Sequence, residues 1–156
     1  MSKCDHRCVG ALIQNEEGIL MFQRNTPPAG HAGPAGHCDG DGYVEALIRE
    51  VWEEVGLWVV RWRILTEFYD PNPCRREYEG GPGHHWQFFD VDVQGEITAS
   101  ERETENVRWY TKSELEALAS RTAQRIAGGI SDEEWQENPG LDLPWYRLLV
   151  QEMQVI

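Results

Sequence analysis

At 156 residues, 40% hydrophobic and 10% aromatic, the chain can form one compact domain with a core and lacks the composition of a disordered one. Its 14 Lys and Arg against 27 Asp and Glu leave a formal net charge of -13. That surface repels nucleic acid polymers and anionic membranes at long range, so a polyanionic substrate would need divalent cations to screen it locally.

No apolar run approaches the ~20 residues that span a bilayer. The stretch Met1 to Arg7 lacks the apolar core of a signal peptide, so a cytoplasmic protein is expected. Cys4, Cys8, Cys38 and Cys74 form no C-x-x-C pair. Cys4, His6 and Cys8 resemble half of a zinc site, but no second half follows at zinc-ligand spacing. Reduced thiols without metal are the expectation.

Arg7 to Gln14 and Ile19 to Arg24 read as extended segments around the turn-like Asn15 to Gly18, which predicts an opening hairpin. Asn25 to Gly42 is rich in Pro and Gly and reads as one long loop of functional type. From Tyr43 the period becomes helical. Val44, Leu47 or Ile48, Val51 and Val55 form an apolar stripe over a helix from about Gly42 to Val55, with Asp41 placed to cap its start and Gly56 its end. Leu57 to Tyr69 reads as one or two strands, Asp70 to Gly83 as a turn-rich loop, and His85 to Gln94 as a strand. Val107 to Tyr110 reads as a short strand. Ser113 with Glu116 fits a capping box for a helix through Ala127, Ser131 with Glu134 fits one for a brief helix, and Pro144 opens a last helix to about Met153. Strands, an early helix, more strands and late helices make a mixed α/β fold.

The chemistry concentrates on the early helix. Spacings of three and four residues put Glu50, Glu53 and Glu54 on one face, opposite the apolar stripe and pointing away from the core. Like charges so close, in the half of the helix whose dipole disfavours anions, cost stability. A bound Mg²⁺ or Mn²⁺ reverses both penalties, because hard oxygen ligands suit those ions.

The stretch Arg49-Glu-Val-Trp-Glu-Glu-Val-Gly-Leu57 resembles the second half of the Nudix box, R-E-U-x-E-E-x-G-U with U aliphatic, at every specified position. Upstream, Gly33-Pro-Ala-Gly-His37 resembles the loop written P-G-G-H, with Ala35 in place of a glycine. Asp41 stands where the box has Glu, and the gap from Gly36 is one residue short. The likeness covers about residues 7 to 120 and implies a Nudix-type α/β/α sandwich: a mixed β-sheet with the carboxylate-bearing helix packed on it, plus C-terminal helices. A single domain is expected, with a helical extension at about 121 to 156.

The resemblance further implies hydrolysis of a diphosphate linkage in a nucleoside diphosphate joined to another group, such as a nucleotide sugar, an ADP-ribose-like compound or a nucleoside triphosphate. Glu50, Glu53 and Glu54 match the acids that hold Mg²⁺, or Mn²⁺ in its place, and Arg49 the arginine that orients them. Gly36 matches the glycine that lets the loop approach the helix. Relatives often place the base on a loop before the late strand, where Glu101, Glu103 and Glu105 lie; Glu103 fits by analogy, and Glu53 or Glu54 competes. Catalytic roles are therefore assigned to Arg49, Glu53, Glu54 and Glu103. Gly36, His37 and Pro73 are the candidate substrate contacts, Pro73 because ADP-ribose-acting relatives tend to carry a proline sixteen residues past the box. His37 reads as a hydrogen-bonding loop residue and not a ligand.

Bland readings stand beside these. An acidic helix face is usually just solvated. Of the adjacent His84 and His85, one should be packed and the other exposed. Trp62, Trp86 and Phe88 could stack on a base, but packing is the expected job of each. Trp135 and Trp145 are expected in the core or at the contact of a homodimer, a common state in the family. The expected partner is a small nucleotide, with neither nucleic acid polymer nor membrane. The alternatives are a non-catalytic nucleotide-binding module, suggested by Ala35, Asp41 and the shortened loop, and a prenyl-diphosphate isomerase with Cys74 as nucleophile, which a loop Cys without an evident base disfavours.

Overall fold

The computed structural model describes residues 4–71, 74 and 83–156. They form two compact units, one from the N-terminus to Ile13 with Pro34–Thr98, the other Gln14–Gly33 with Ala99–Ile156. The loop expected over Asp70 to Gly83 falls largely, and Pro73 wholly, outside the described residues.

The first unit is a four-stranded mixed sheet with one helix on it. Its strands are β1 (Arg7–Leu12), β5 (Ala35–His37), β6 (Trp58–Asp70) and β7 (His84–Gln94), in the order β5-β1-β7-β6. The β1–β7 pair is parallel and the other two are antiparallel. Strand β1 is buried from Cys8 to Leu12 on both faces, as a central strand with neighbours on either edge must be. Both of its edges are thus occupied by β5 and β7, and the predicted opening hairpin with Ile19 to Arg24 does not form. The hairpin shrinks to two residue pairs, Gln14↔Ile19 and Asn15↔Gly18, in the other unit.

Helix α1 (Tyr43–Val55) packs on this sheet through Ala46, Leu47, Val51 and Val55. Leu47 takes the core position and Ile48 faces outward, 37% exposed. Gly56 ends the helix at φ 70°, its N–H bonded to Trp52 O at 3.0 Å. A side chain there would strain that conformation and strike Thr98, so two constraints select glycine. At the other end the cap is Gly42 without a side-chain bond; Asp41 does not cap, because its carboxylate is engaged elsewhere.

Strand β6 is a single strand with two irregularities and leaves Trp58, Val60, Trp62 and Ile64 between 44% and 57% exposed, Trp58 stacked on Trp52 at 4.3 Å. Trp62 therefore does not pack as expected. Trp86 and Phe88 do: both are buried and stack on each other at 5.2 Å.

The second unit is built on β3 (Gly18–Arg24), which pairs with β2 (Gln14–Asn15), β4 (His31–Ala32) and β8 (Thr104–Tyr110). Strands β4 and β5 both lie in what the Pro and Gly content made one loop. Each is three residues or fewer, below what composition can signal. Helix α2 (Lys112–Ile126) starts two residues earlier than expected. Thr111 and Glu114 form its capping box, at 3.2 and 2.8 Å, in place of Ser113 and Glu116. The same pattern occurs twice, and the helix takes the one directly after β8. Helix α3 (Asp132–Glu137) has the expected Ser131–Glu134 box. Helix α4 (Leu143–Tyr146) runs on into a π-helical turn, Arg147–Glu152. Trp135 and Trp145 are core residues, and Trp135 donates to Ala29 O at 3.0 Å.

His31 supplies a pH dependence within this unit. Its Nδ1 lies 3.2 Å from Gly140 O, its ring meets Tyr110 edge-on, and burial first, with Arg108 adding, holds its pKa below the usual value. The unfolded imidazole therefore protonates before the folded one. Stability falls as pH drops below about 6.5, by at most about 1.4 kcal/mol per pH unit, and stops falling once folded His31 also protonates. Urea unfolding of wild type and His31→Gln between pH 7.5 and 5 should show a shallower slope in the variant. Equal slopes would remove His31 as the cause.

Candidate active site

Arg49 ties the box loop to the helix. Its Nη1 is ion-paired with the Asp41 carboxylate, and its Nη2 donates to His37 O at 2.8 Å and lies 3.6 Å from Glu50 Oε1. Burial opposes its charge, but Glu50, Asp41 and Glu53 together hold the guanidinium pKa above its ordinary value. Arg7 adds a bond from Nη2 to Asp41 O at 2.8 Å. The loop between β5 and α1, one residue shorter than the box prescribes, is fastened from both sides.

The three acids are not equivalent. Glu54 is only 8% exposed, and its Oε1 accepts the Ala35 N–H at 2.7 Å. Glu50 lies against the next residue, Gly36: a Cβ there would stand 2.3 Å from the Glu50 carboxyl carbon. Glu53 is exposed. Three carboxylates pointing away from the core was thus right only for Glu53. Strand β5, hidden in a Pro- and Gly-rich stretch, folds over that face and covers Glu54. The Ala35 substitution leaves the backbone donor in place, because the bond to Glu54 uses the main-chain N–H.

The other nominated residues divide. His37 ends β5, and its Nε2 is 3.9 Å from Cys74 Sγ, so it is more than a loop residue bonded through its main chain. Glu103 belongs to the second unit, in the turn before β8, its N–H bonded to Ser100 O at 3.2 Å and its carbonyl accepting Asn25 N–H at 3.0 Å. Glu101 and Glu105 are exposed. Pro73 lies outside the described residues. His84 is 2% exposed while His85 is exposed, the split that adjacent strand residues require. An open cleft of about 320 Å³ is lined by Tyr43, Glu67, Phe68, Tyr69, His85 and Trp86. None of the three acids is among its lining residues.

The chain resembles known proteins over most of its length. The model of the NUDIX domain matches residues 5–129. An uncharacterized Nudix hydrolase of Listeria monocytogenes, lmo0368, is 30% identical over 123 residues, 74% of this chain and 69% of that protein. The crystal structure of a MutT protein from Methanosarcina mazei superposes with a TM-score of 0.58 at 25% identity, over 77% of this chain and 84% of that one. A C. elegans Ap4A hydrolase shares the fold at a TM-score of 0.53 and 19% identity, over 80% of this chain and all of that one. The NUDIX match and the Listeria relative define the class, an enzyme that hydrolyses pyrophosphate linkages. The chain belongs to the Nudix family, is MutT-like, and is a Nudix-type pyrophosphohydrolase. Nudix hydrolases generally use a divalent metal and act on small nucleotides. Among the described residues no helix is long and apolar enough to cross a membrane.

Proposed function

We propose that the chain hydrolyses the diphosphate linkage of a nucleoside diphosphate joined to another group, with Mg²⁺ as its ion and Mn²⁺ as a substitute. The observation that carries this reading is the setting of Glu50 and Glu54 against consecutive backbone residues of β5, with Glu53 exposed beside them. The donor set fits a hard divalent cation: three carboxylates from one helix, one of them buried and held by a main-chain N–H. The close fit of Gly36 to Glu50 keeps that carboxylate in place.

Glu50, Glu53 and Glu54 would hold the ion, which when bound supplies charge neutralisation at the phosphoryl oxygens and an acidified water. The chain's own residues do the rest. Ala35 N–H fixes Glu54 and Arg49 joins the β5–α1 loop to Glu50; the family resemblance gives Glu103 as the base that takes the proton of the attacking water, with Glu53 or Glu54 as the competitor. Gly36 and His37, on the same short strand, offer backbone to the substrate phosphates, and Pro73 fits an ADP-ribose-like substrate. A panel of nucleotide sugars, ADP-ribose and nucleoside triphosphates, assayed with Mg²⁺ for release of phosphate or nucleoside monophosphate, tests the reading. Binding without product under Mg²⁺ and Mn²⁺ would replace it with a non-catalytic module.

Gly36→Ala isolates the site from the fold. The three atoms nearest the added methyl all belong to the Glu50 carboxylate, a side-chain end that can shift, so the melting temperature should stay near wild type. The Mg²⁺ concentration for half-maximal turnover should rise about 10–100-fold, the usual effect of disturbing what positions a ligand. An unchanged Mg²⁺ dependence would separate Glu50 from the ion.

The same reading takes the protein as a cytoplasmic homodimer. Trp135 and Trp145 are buried and drop out as contacts; the exposed row on the edge strand β6 is the apolar surface a second copy would cover. Sedimentation at the monomer mass would remove the dimer.

A further inference from the structure

Outside the acid helix, four metal-ligating side chains from distant parts of the first unit converge. Cys4 precedes β1, His37 ends β5, Cys74 lies in the connection between β6 and β7, and His84 opens β7. One ligand atom from each lies within 4.8 Å of all the others. Cys4, Cys74 and His84 are 2–4% exposed, and His37 is half-buried. We propose that Cys4, His37, Cys74 and His84 form a structural zinc site, separate from the carboxylate site of the helix.

The chemistry of the donors carries this. Two thiols and two imidazoles are the donor set of a closed tetrahedral zinc centre. With Zn–S near 2.3 Å and Zn–N near 2.0 Å, the edges of such a tetrahedron are roughly 3.6 Å. The observed His37 Nε2 to Cys74 Sγ separation, 3.9 Å, is already close to that, and no pair exceeds 4.8 Å, so the four groups must draw together by side-chain shifts to close on an ion. On binding, each thiol loses its proton to solvent. Two thiolates then balance the doubly positive ion while both imidazoles stay neutral, and the buried cluster carries no net charge.

Burial disfavours a Cys4 thiolate, and one backbone bond works the other way. Cys4 Sγ accepts the His6 N–H at 3.3 Å, a bond that favours the anionic sulfur. His6, in the left-handed region at φ 58°, turns the chain back at that point. Its carbonyl accepts His85 N–H at 2.8 Å and its Nδ1 lies 3.0 Å from Gly83 O, fastening the segment of Cys4 to the one that bears His84. A Cys74–His37 nucleophile pair or a Cys4–Cys74 disulfide would each use two of the four groups and leave the other two without a reason to converge. Four protein ligands leave no open position, so the role is to hold and not to catalyse. What it holds matters: His37 follows Gly36, and its carbonyl receives Arg49, so the ion would pin the strand against which Glu50 and Glu54 are set.

The test uses the full chain, purified with thiols reduced and no chelator. Elemental analysis should find about one zinc per chain, retained by Glu53→Gln and lost in Cys74→Ser. Co²⁺ added to metal-stripped wild type should give intense tetrahedral d–d bands and sulfur-to-cobalt charge transfer that excess Mg²⁺ does not displace and one equivalent of Zn²⁺ abolishes. The wild-type titration needs no variant, so a misfolded Cys74→Ser leaves the test intact. Six-coordinate cobalt without sulfur bands, no zinc taken up at micromolar concentration, or a Cys4–Cys74 disulfide trapped in freshly isolated protein would each overturn the assignment.

Discussion

Glu53→Gln and Glu103→Gln are each expected to cut kcat by about 10²–10⁴-fold, the range for losing a positioned acid or base, but by routes that can be told apart. Glu53 is an exposed helix residue, so its loss should leave the melting temperature near wild type and weaken Mg²⁺ binding, a defect that higher Mg²⁺ partly restores. Glu103, as the proposed proton acceptor, should lower the rate at every Mg²⁺ concentration and leave the Mg²⁺ dependence unchanged. If Glu103→Gln keeps its rate, the base returns to Glu53 or Glu54. If Glu53→Gln keeps full turnover at limiting Mg²⁺, the helix is a solvated acidic face and the site assignment fails.

Trp145→Ala should be the largest single loss of stability, about 3–5 kcal/mol. The indole is fully buried with its ring against Gly33, and Trp145 itself sits in the first turn of the C-terminal helical segment. Truncation removes that contact and leaves a cavity its neighbours cannot fill without moving backbone. Urea unfolding of the variant provides the measurement. A change below 1 kcal/mol would mean that the C-terminal segment is peripheral to the second unit, against its burial.

The acid helix could be read directly because everything about it is local. Stripe, carboxylate spacing and glycine terminator all lie within Tyr43–Gly56, where helical geometry alone decides which side chains share a face. Capping boxes are local too, yet the choice between Thr111 and Ser113 was not, since it depended on where β8 ended. The hairpin expectation failed for a similar reason. Which edge of β1 is filled depends on β5 and β7, and β7 lies some eighty residues away.

Local spacing therefore determined the family, the helix and the identity of its three acids. Tertiary structure alone decided that Glu54 is buried under Ala35 while Glu53 faces solvent, and that Cys4, His37, Cys74 and His84 meet. A helix repeats within a few residues and writes its pattern into neighbouring positions. A site assembled from strand ends leaves no spacing to read, because its members are brought together by sheet register and by nothing in the chain between them.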